Sequence, residues 1–381
     1  MSFVATKAFA DDWAACRKSN PELRLSACSK IITKGGIADQ DLALAYGFRG
    51  SGHLNKGDKD KAIADFTHAL RLKPQPAEAS LFNGLLHLAK EEQDQGIAAL
   101  DEALRLDPKN VRALVSRGTA FNNKRAPDRA LADLNEAIRL DPTFALAFAN
   151  RGATYRSKND LDRAIADFSE AIRLEPQYAA PFRLRGSAFI AKNDHDRAIA
   201  DLNEAIRLDA KSPLAFHERG WAHASKANYD RAIVDYGSAI ALNPKYVIAF
   251  NSRGRAHAAK GEHERAIADF SEALRFDAAY VHGYNNRGLS RFKMGKLISP
   301  SWTTNRRSVS TADILLPTTI AALPTQKWGK QIRPLLTSQR FLSCLLLLSR
   351  TSNGRSLRVS ALPAYAQPRP SLLSIEEWRW S

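Results

Sequence analysis

A chain of 381 residues has room for two or three globular domains, and a formal net charge of +16 would mark a binder of acidic partners if it were spread over one folded face. It is not spread: +9 of it falls in residues 296–381, where twelve Lys/Arg accompany three acids (Asp313, Glu376, Glu377), leaving +7 for the first 295 residues. Three cysteines are too few for a disulfide-dense scaffold and match no zinc spacing, and no run of eighteen apolar residues offers a membrane span.

Residues 1–10, MSFVATKAFA, end in Ala8-Phe9-Ala10, a small-x-small sequence like a signal-peptidase site with no adequate apolar region before it. They read as the remnant of a signal peptide whose true start codon lies upstream, which makes the protein periplasmic or exported; the alternative is cytoplasmic. Residues 11–40 read as a helical cap: a short helix around Trp13 to Lys18, a Ser-Asn-Pro turn, and a helix from Pro21 to Lys34 with Leu25, Cys28, Ile31 and Ile32 on one face. Cys16 and Cys28 are either a disulfide tying the cap helices together or two small buried hydrophobes, depending on compartment.

From residue 41 the sequence superimposes on itself when shifted by 34 residues, in units that read DRAIADFSEAIRLEP and its variants. One column is Ala62, Gly96, Ala130, Ala164, Ala198, Ala232 and Ala266, and a second small column follows seven residues later, from Ala69 to Ala273. Between them stands a bulky column, Phe66, Leu100, Leu134, Phe168, Leu202, Tyr236 and Phe270, so that one helical face is marked at i, i+4 and i+7. Each such helix opens on an acid, from Asp60 to Glu264, suited to its positive end, and most close at a proline such as Pro74 or Pro108.

The other half of each unit is a second amphipathic helix with an unbroken glycine column, Gly50, Gly84, Gly118, Gly152, Gly186, Gly220, Gly254 and Gly288. Glycine within a helix costs about 1 kcal/mol against alanine, so a glycine recurring at this spacing implies close approach of the partner helix. These residues resemble the tetratricopeptide repeat, of the bacterial type with tandem DRAIADFxEAIRLDP-like units, over residues 41–296: seven full units and the first helix of an eighth. The resemblance implies an all-α fold, an α-solenoid of stacked antiparallel helix pairs in a right-handed superhelix whose concave face is lined mainly by the first helices. It further implies a scaffold that binds a protein or an extended peptide. A single helix pair cannot bury both faces and gains a core only by stacking, which agrees.

Several columns invite sharper readings. His53, His87, His223 and His257 share one column, but successive units stand about 10 Å apart, too far to share a metal, so they read as packing residues. Arg49, Arg117, Arg151, Arg185, Arg219, Arg253 and Arg287 look like a phosphate track, yet each second helix carries an aspartate (Asp65, Asp133, Asp167, Asp201, Asp235, Asp269), and the unit with Asn83 in place of the arginine has Ala99 in place of the aspartate. Loss of both together points to structural ion pairs. The groove positions three before, one after and four after the glycine give Arg156, Arg183, His217, Trp221, Asn251, Arg255 and Asn285 as ligand candidates, polar to basic toward the C-terminus and suited to a partner with an acidic segment. The same positions are small or apolar toward the N-terminus (Leu81, Leu85, Leu88, Val115, Ala149, Ala153). The asparagine that a carboxylate clamp needs just after the glycine is absent throughout that column, which runs from Ser51 and Leu85 to Arg255 and Leu289.

No nucleophile elbow, P-loop or HExxH occurs, so neither an enzyme nor a cofactor site is expected. The alternative function is binding of nucleic acid or another anionic polymer through groove arginines and the basic tail. At Lys296 the pattern stops, and residues 297–381 turn to Arg, Ser, Pro, Leu and four of the six tryptophans. That tail reads as a frameshift product of a longer array, the alternative being a disordered basic tail.

Overall fold

The structure, a computed structural model, describes residues 3–295. The tail with its proposed frameshift lies outside the described residues. Among those described every regular element is an α-helix, and they form a solenoid of antiparallel pairs. The cap is α1 (Phe3–Cys16) and α2 (Pro21–Lys34). The array follows as α3 (Asp39–Asn55) with α4 (Lys59–Arg71), α5 (Pro76–Ala89) with α6 (Gln93–Leu106), α7 (Val111–Asn123) with α8 (Pro127–Leu140), and α9 (Ala145–Ser157) with α10 (Leu161–Leu174). It continues as α11 (Ala179–Ala191) with α12 (His195–Leu208), α13 (Pro213–Ser225) with α14 (Tyr229–Leu242), and α15 (Val247–Ala259) with α16 (His263–Phe276), ending on α17 (Val281–Lys293).

The first cap helix is longer than its expected span around Trp13 to Lys18, because Ala-rich sequence from Phe3 onward holds no breaker until Ser19, Asn20 and Pro21. Asn20 then caps α2, its side-chain oxygen accepting from the Glu22 and Leu23 backbone N–H groups, with Pro21 at the first helical position. The acid column sits inside the first turn of each second helix rather than at the cap. The residue two earlier takes the cap position, as where Asp160 accepts from the Arg163 N–H at 3.2 Å. The displaced acids pair outward with a lysine of the following unit, as in Lys158–Asp128 at 2.6 Å and Lys260–Asp230 at 2.5 Å. Such exposed pairs contribute little each.

The turn from first to second helix repeats a left-handed residue every 34 positions: Gly57, Glu91, Arg125, Asn159, Asn193, Ala227, Gly261 and Gly295. For a residue with a Cβ this conformation costs about 1–2 kcal/mol, so Glu91, Arg125 and Ala227 are held there by the packing of the helices on either side.

The core follows the columns. Ala62, Ala130, Ala164, Phe66, Leu134 and Phe168 are fully buried, and the glycine column lets them in. A Cβ on Gly152 would stand 2.8 Å from Phe168 Cε1 and 3.1 Å from the Ala164 carbonyl oxygen. The bulky side chain, more than the alanines, therefore fills the space the glycine vacates. Consecutive first helices touch one another (α3 and α5, α5 and α7, on to α15 and α17), while second helices pack against the first helices of their own and the next unit. The more tightly spaced row is the concave side, so the first helices line it.

Candidate functional site

Two sets of polar residues lie along the first helices, and they do different things. Six arginines of the column turn back into their own pairs, and Arg287 donates to Ser271 Oγ of the preceding unit. Arg151 donates to both carboxylate oxygens of Asp167, from Nε at 2.9 Å and Nη2 at 2.8 Å. Arg49–Asp65, Arg117–Asp133, Arg185–Asp201, Arg219–Asp235 and Arg253–Asp269 repeat this fork. These aspartates are buried, and hydrogen bonding to them raises the basicity of Arg49, Arg117 and Arg151 despite desolvation. The phosphate-track reading has no free arginines to use here. The histidine column is likewise internal: His87 Nδ1 meets Glu92 at 2.6 Å and His257 Nδ1 meets Glu262 at 2.7 Å. No metal-holding cluster of His, Cys, Asp or Glu occurs among the described residues.

The second set is a ladder between successive first helices. The residue three before the glycine meets the residue 35 later in the next unit: Arg183 Nη1 donates to Glu218 at 2.9 Å, His217 Nε2 lies 3.1 Å from Ser252 Oγ, and Asn251 Oδ1 accepts from Asn286 Nδ2 at 2.9 Å. His217 is buried between the Tyr236 and Tyr246 rings, and desolvation pulls its pKa down to about 4, so it stays neutral near pH 7. Of the seven candidates, His217 and Asn251 are buried in these bonds, Arg183 is tied to a carboxylate, and Trp221 and Asn285 are half-buried. Trp221 packs edge-on against His195. Arg156 and Arg255 are exposed, Arg156 with a 3.2 Å bond to Ser187 Oγ in the next unit and neither with a carboxylate among the described residues. The ladder was invisible in sequence because its register, 35 residues, is one off the repeat period.

Toward the N-terminus the apolar part of the groove is not open along its length. The turn between α1 and α2 reaches across it: the Ser19 and Asn20 backbone N–H groups donate to the Glu175 carboxylate at 2.9–3.0 Å, Ser19 Oγ accepts from the Leu146 N–H, and Arg112 Nη2 donates to the Arg17 carbonyl. The cap thus packs on α3 as one more unit and also lays its turn on units three and four. Cys16 and Cys28 lie with their sulfurs 1.98 Å apart, at bonding distance, beside the turn. Nothing in sequence periodicity signalled this long-range contact, since Arg24, Arg112 and Glu175 belong to no shared column.

The chain matches tetratricopeptide repeat profiles over residues 145–178, TPR repeat profiles over 186–226 and 254–295, and further tetratricopeptide repeat profiles over 49–108 and 83–143. No curated protein matches it by sequence. Among solved structures it is similar to a chain of the APC/C hetero-tetramer Cut9-Hcn1, at TM-score 0.61 and 17% identity over 71% of this chain and 53% of that one, so it spans about half the length of that relative. It is also similar to PilW, a type IV pilus biogenesis factor (TM-score 0.51, 18% identity, 54% of this chain and 95% of that one). The Pseudomonas aeruginosa protein pilF aligns comparably (0.50, 18%, 55% and 95%). At these identities the likeness is one of fold.

Proposed function

The chain belongs to the tetratricopeptide repeat family, whose profiles match more than half of its length, and from that premise we propose a non-catalytic scaffold whose concave groove binds an extended peptide with an acidic segment. Proteins of this family generally mediate protein–protein interactions. The observation that carries the finer reading is the contrast between two kinds of arginine. Six of the regular column are consumed by aspartates, whereas Arg156 and Arg255 stand exposed on the inner row without a carboxylate among the described residues, Arg255 at the repeat position that Trp221 holds one unit earlier. Cations in solvent contact along one face are groups that an acidic peptide segment recognises.

Full-length protein probed with arrayed extended peptides is expected to retain acidic ones, and Arg156→Ala with Arg255→Ala together is expected to weaken them about tenfold, the order of two exposed charge contacts. Equal retention by wild type and variant would reject the groove assignment. Preference for nucleic acid over acidic peptides, lost steeply with salt, would favour the anionic-polymer reading instead.

We further propose, for a chain that pairs Cys16 with Cys28, a location outside the reducing cytoplasm. Alkylation of intact cells, followed by reduction and a second label, is expected to leave both thiols to the second reagent; labelling by the first would sink this placement.

A further inference from the structure

The array matches its covered arginines to carboxylates by rule, and two arginines depart from it at the same pocket. The pocket is a cavity of about 220 Å³ on the inner side of α3, α5, α7 and α9, with mostly apolar walls that include Phe48, Phe82, Leu85 and Leu146, and with Ser116, Thr119 and Asn150 also lining it. Arg24 reaches it from α2 of the cap and Arg112 from α7. Arg24 is 1% exposed; its Nε donates to the Lys18 carbonyl at 2.8 Å, and its Nη2 is buried with no hydrogen-bond partner among the described residues. Arg112, part-exposed but ringed by protein, donates Nη2 to the Arg17 carbonyl at 2.9 Å and lies over the Phe48 and Phe144 rings.

The acids whose fields reach these groups are engaged elsewhere. Glu175 spends its carboxylate on the Ser19 and Asn20 N–H groups, and Asp141 accepts from Thr143. Desolvation lowers the basicity of both guanidinium groups, and at Arg112, down to about 9, the like charges of Arg24 and Arg17 add to it. A covered cation whose fork meets no carboxylate directly is unfavourable, and an arginine fork is shaped to take a carboxylate through two hydrogen bonds. The apolar walls around the pair favour a hydrocarbon chain.

We propose that this pocket binds a medium-chain aliphatic carboxylate, with Arg24 and Arg112 holding the carboxylate and the Leu and Phe walls holding the chain. The cavity accommodates about eight to ten carbons at interior packing density, which is small for an extended peptide. Because one arginine comes from the cap and the other from the array, the bound molecule ties the two together.

Titration calorimetry of the full chain with sodium decanoate below its micelle concentration is expected to give one site. Octanoate, with two fewer buried methylenes, is expected to bind about fifteenfold more weakly. Decanol, which keeps the chain and lacks the charge, and the Arg24→Met and Arg112→Met variants are each expected to lose about tenfold or more. Ser116→Phe, at a half-buried wall position that leaves both arginines in place, is expected to abolish binding by filling the cavity; it decides the matter should either Met variant fail to fold. Absence of decanoate binding, equal affinity for decanol, retention by Ser116→Phe, or binding only of a peptide with a free C-terminal leucine would each overturn the proposal.

Discussion

Gly152→Ala is expected to lower the stability of the array by about 2 kcal/mol, whereas Gly237→Ala, the same change at a helical glycine outside that column, is expected to raise it by up to about 1 kcal/mol. Both substitutions gain the helix preference of alanine over glycine, so the difference isolates the partner helix. At Gly152 the new methyl would sit 2.8 Å and 3.0 Å from two Phe168 ring atoms and 3.1 Å from the Ala164 carbonyl oxygen. Phe168 is fully buried, so its ring has nowhere to retreat, and the carbonyl belongs to helix backbone. Overpacking of this kind costs about 1–3 kcal/mol, and here the contacts close in from two sides. At Gly237 a Cβ would meet, among the described residues, no atom closer than Arg253 Nη1 at 3.8 Å. Urea unfolding followed by circular dichroism separates the two; equal midpoint shifts would mean that the glycine column is not there for close approach.

The columns that make this prediction were readable in sequence because each repeats a local chemical requirement. A Cβ-free position opposite a Phe or Leu, an alanine at the helix crossing, and an arginine with its aspartate recur in nearly every unit, and repetition turns a weak preference into a pattern. Features built once were not readable. Gly47 stands outside the glycine column, at the groove position three before Gly50, and its missing side chain admits the Phe82 ring; a lone glycine there carried no signal. The cap turn on Glu175 joins residues 155 and 156 positions apart that share no register. Sequence offered the groove candidates as one set, of which Arg156 reaches Ser187 on the next first helix. It could not separate His217 and Asn251, whose polar atoms are used between units, from Arg255, whose charge is exposed. Whether a polar side chain is spent inside or left to solvent depends on the neighbouring unit, which its own column does not record.

The second large effect tests the ion pairs. Asp167→Ala is expected to cost about 2–3 kcal/mol, because it leaves the Arg151 guanidinium covered with both of its fork donors unmet. Asn135 Oδ1, at 2.9 Å from Nη1, remains the one side-chain acceptor it keeps. The unit that carries Asn83 and Ala99 shows that the fold accommodates the absence of both partners, so the expense lies in the orphaned charge rather than in the missing attraction. Arg151→Asn added to Asp167→Ala is therefore expected to recover part of the loss, with a coupling of about 1–3 kcal/mol in a double-mutant cycle. An exposed pair such as Lys158–Asp128, treated the same way, is expected to couple by under about 1 kcal/mol, since water replaces either partner. If the Arg151 and Asp167 substitutions were additive, the arginine column would have no structural reason to be there, and its guanidinium groups would have to be counted again as surface offered to a ligand.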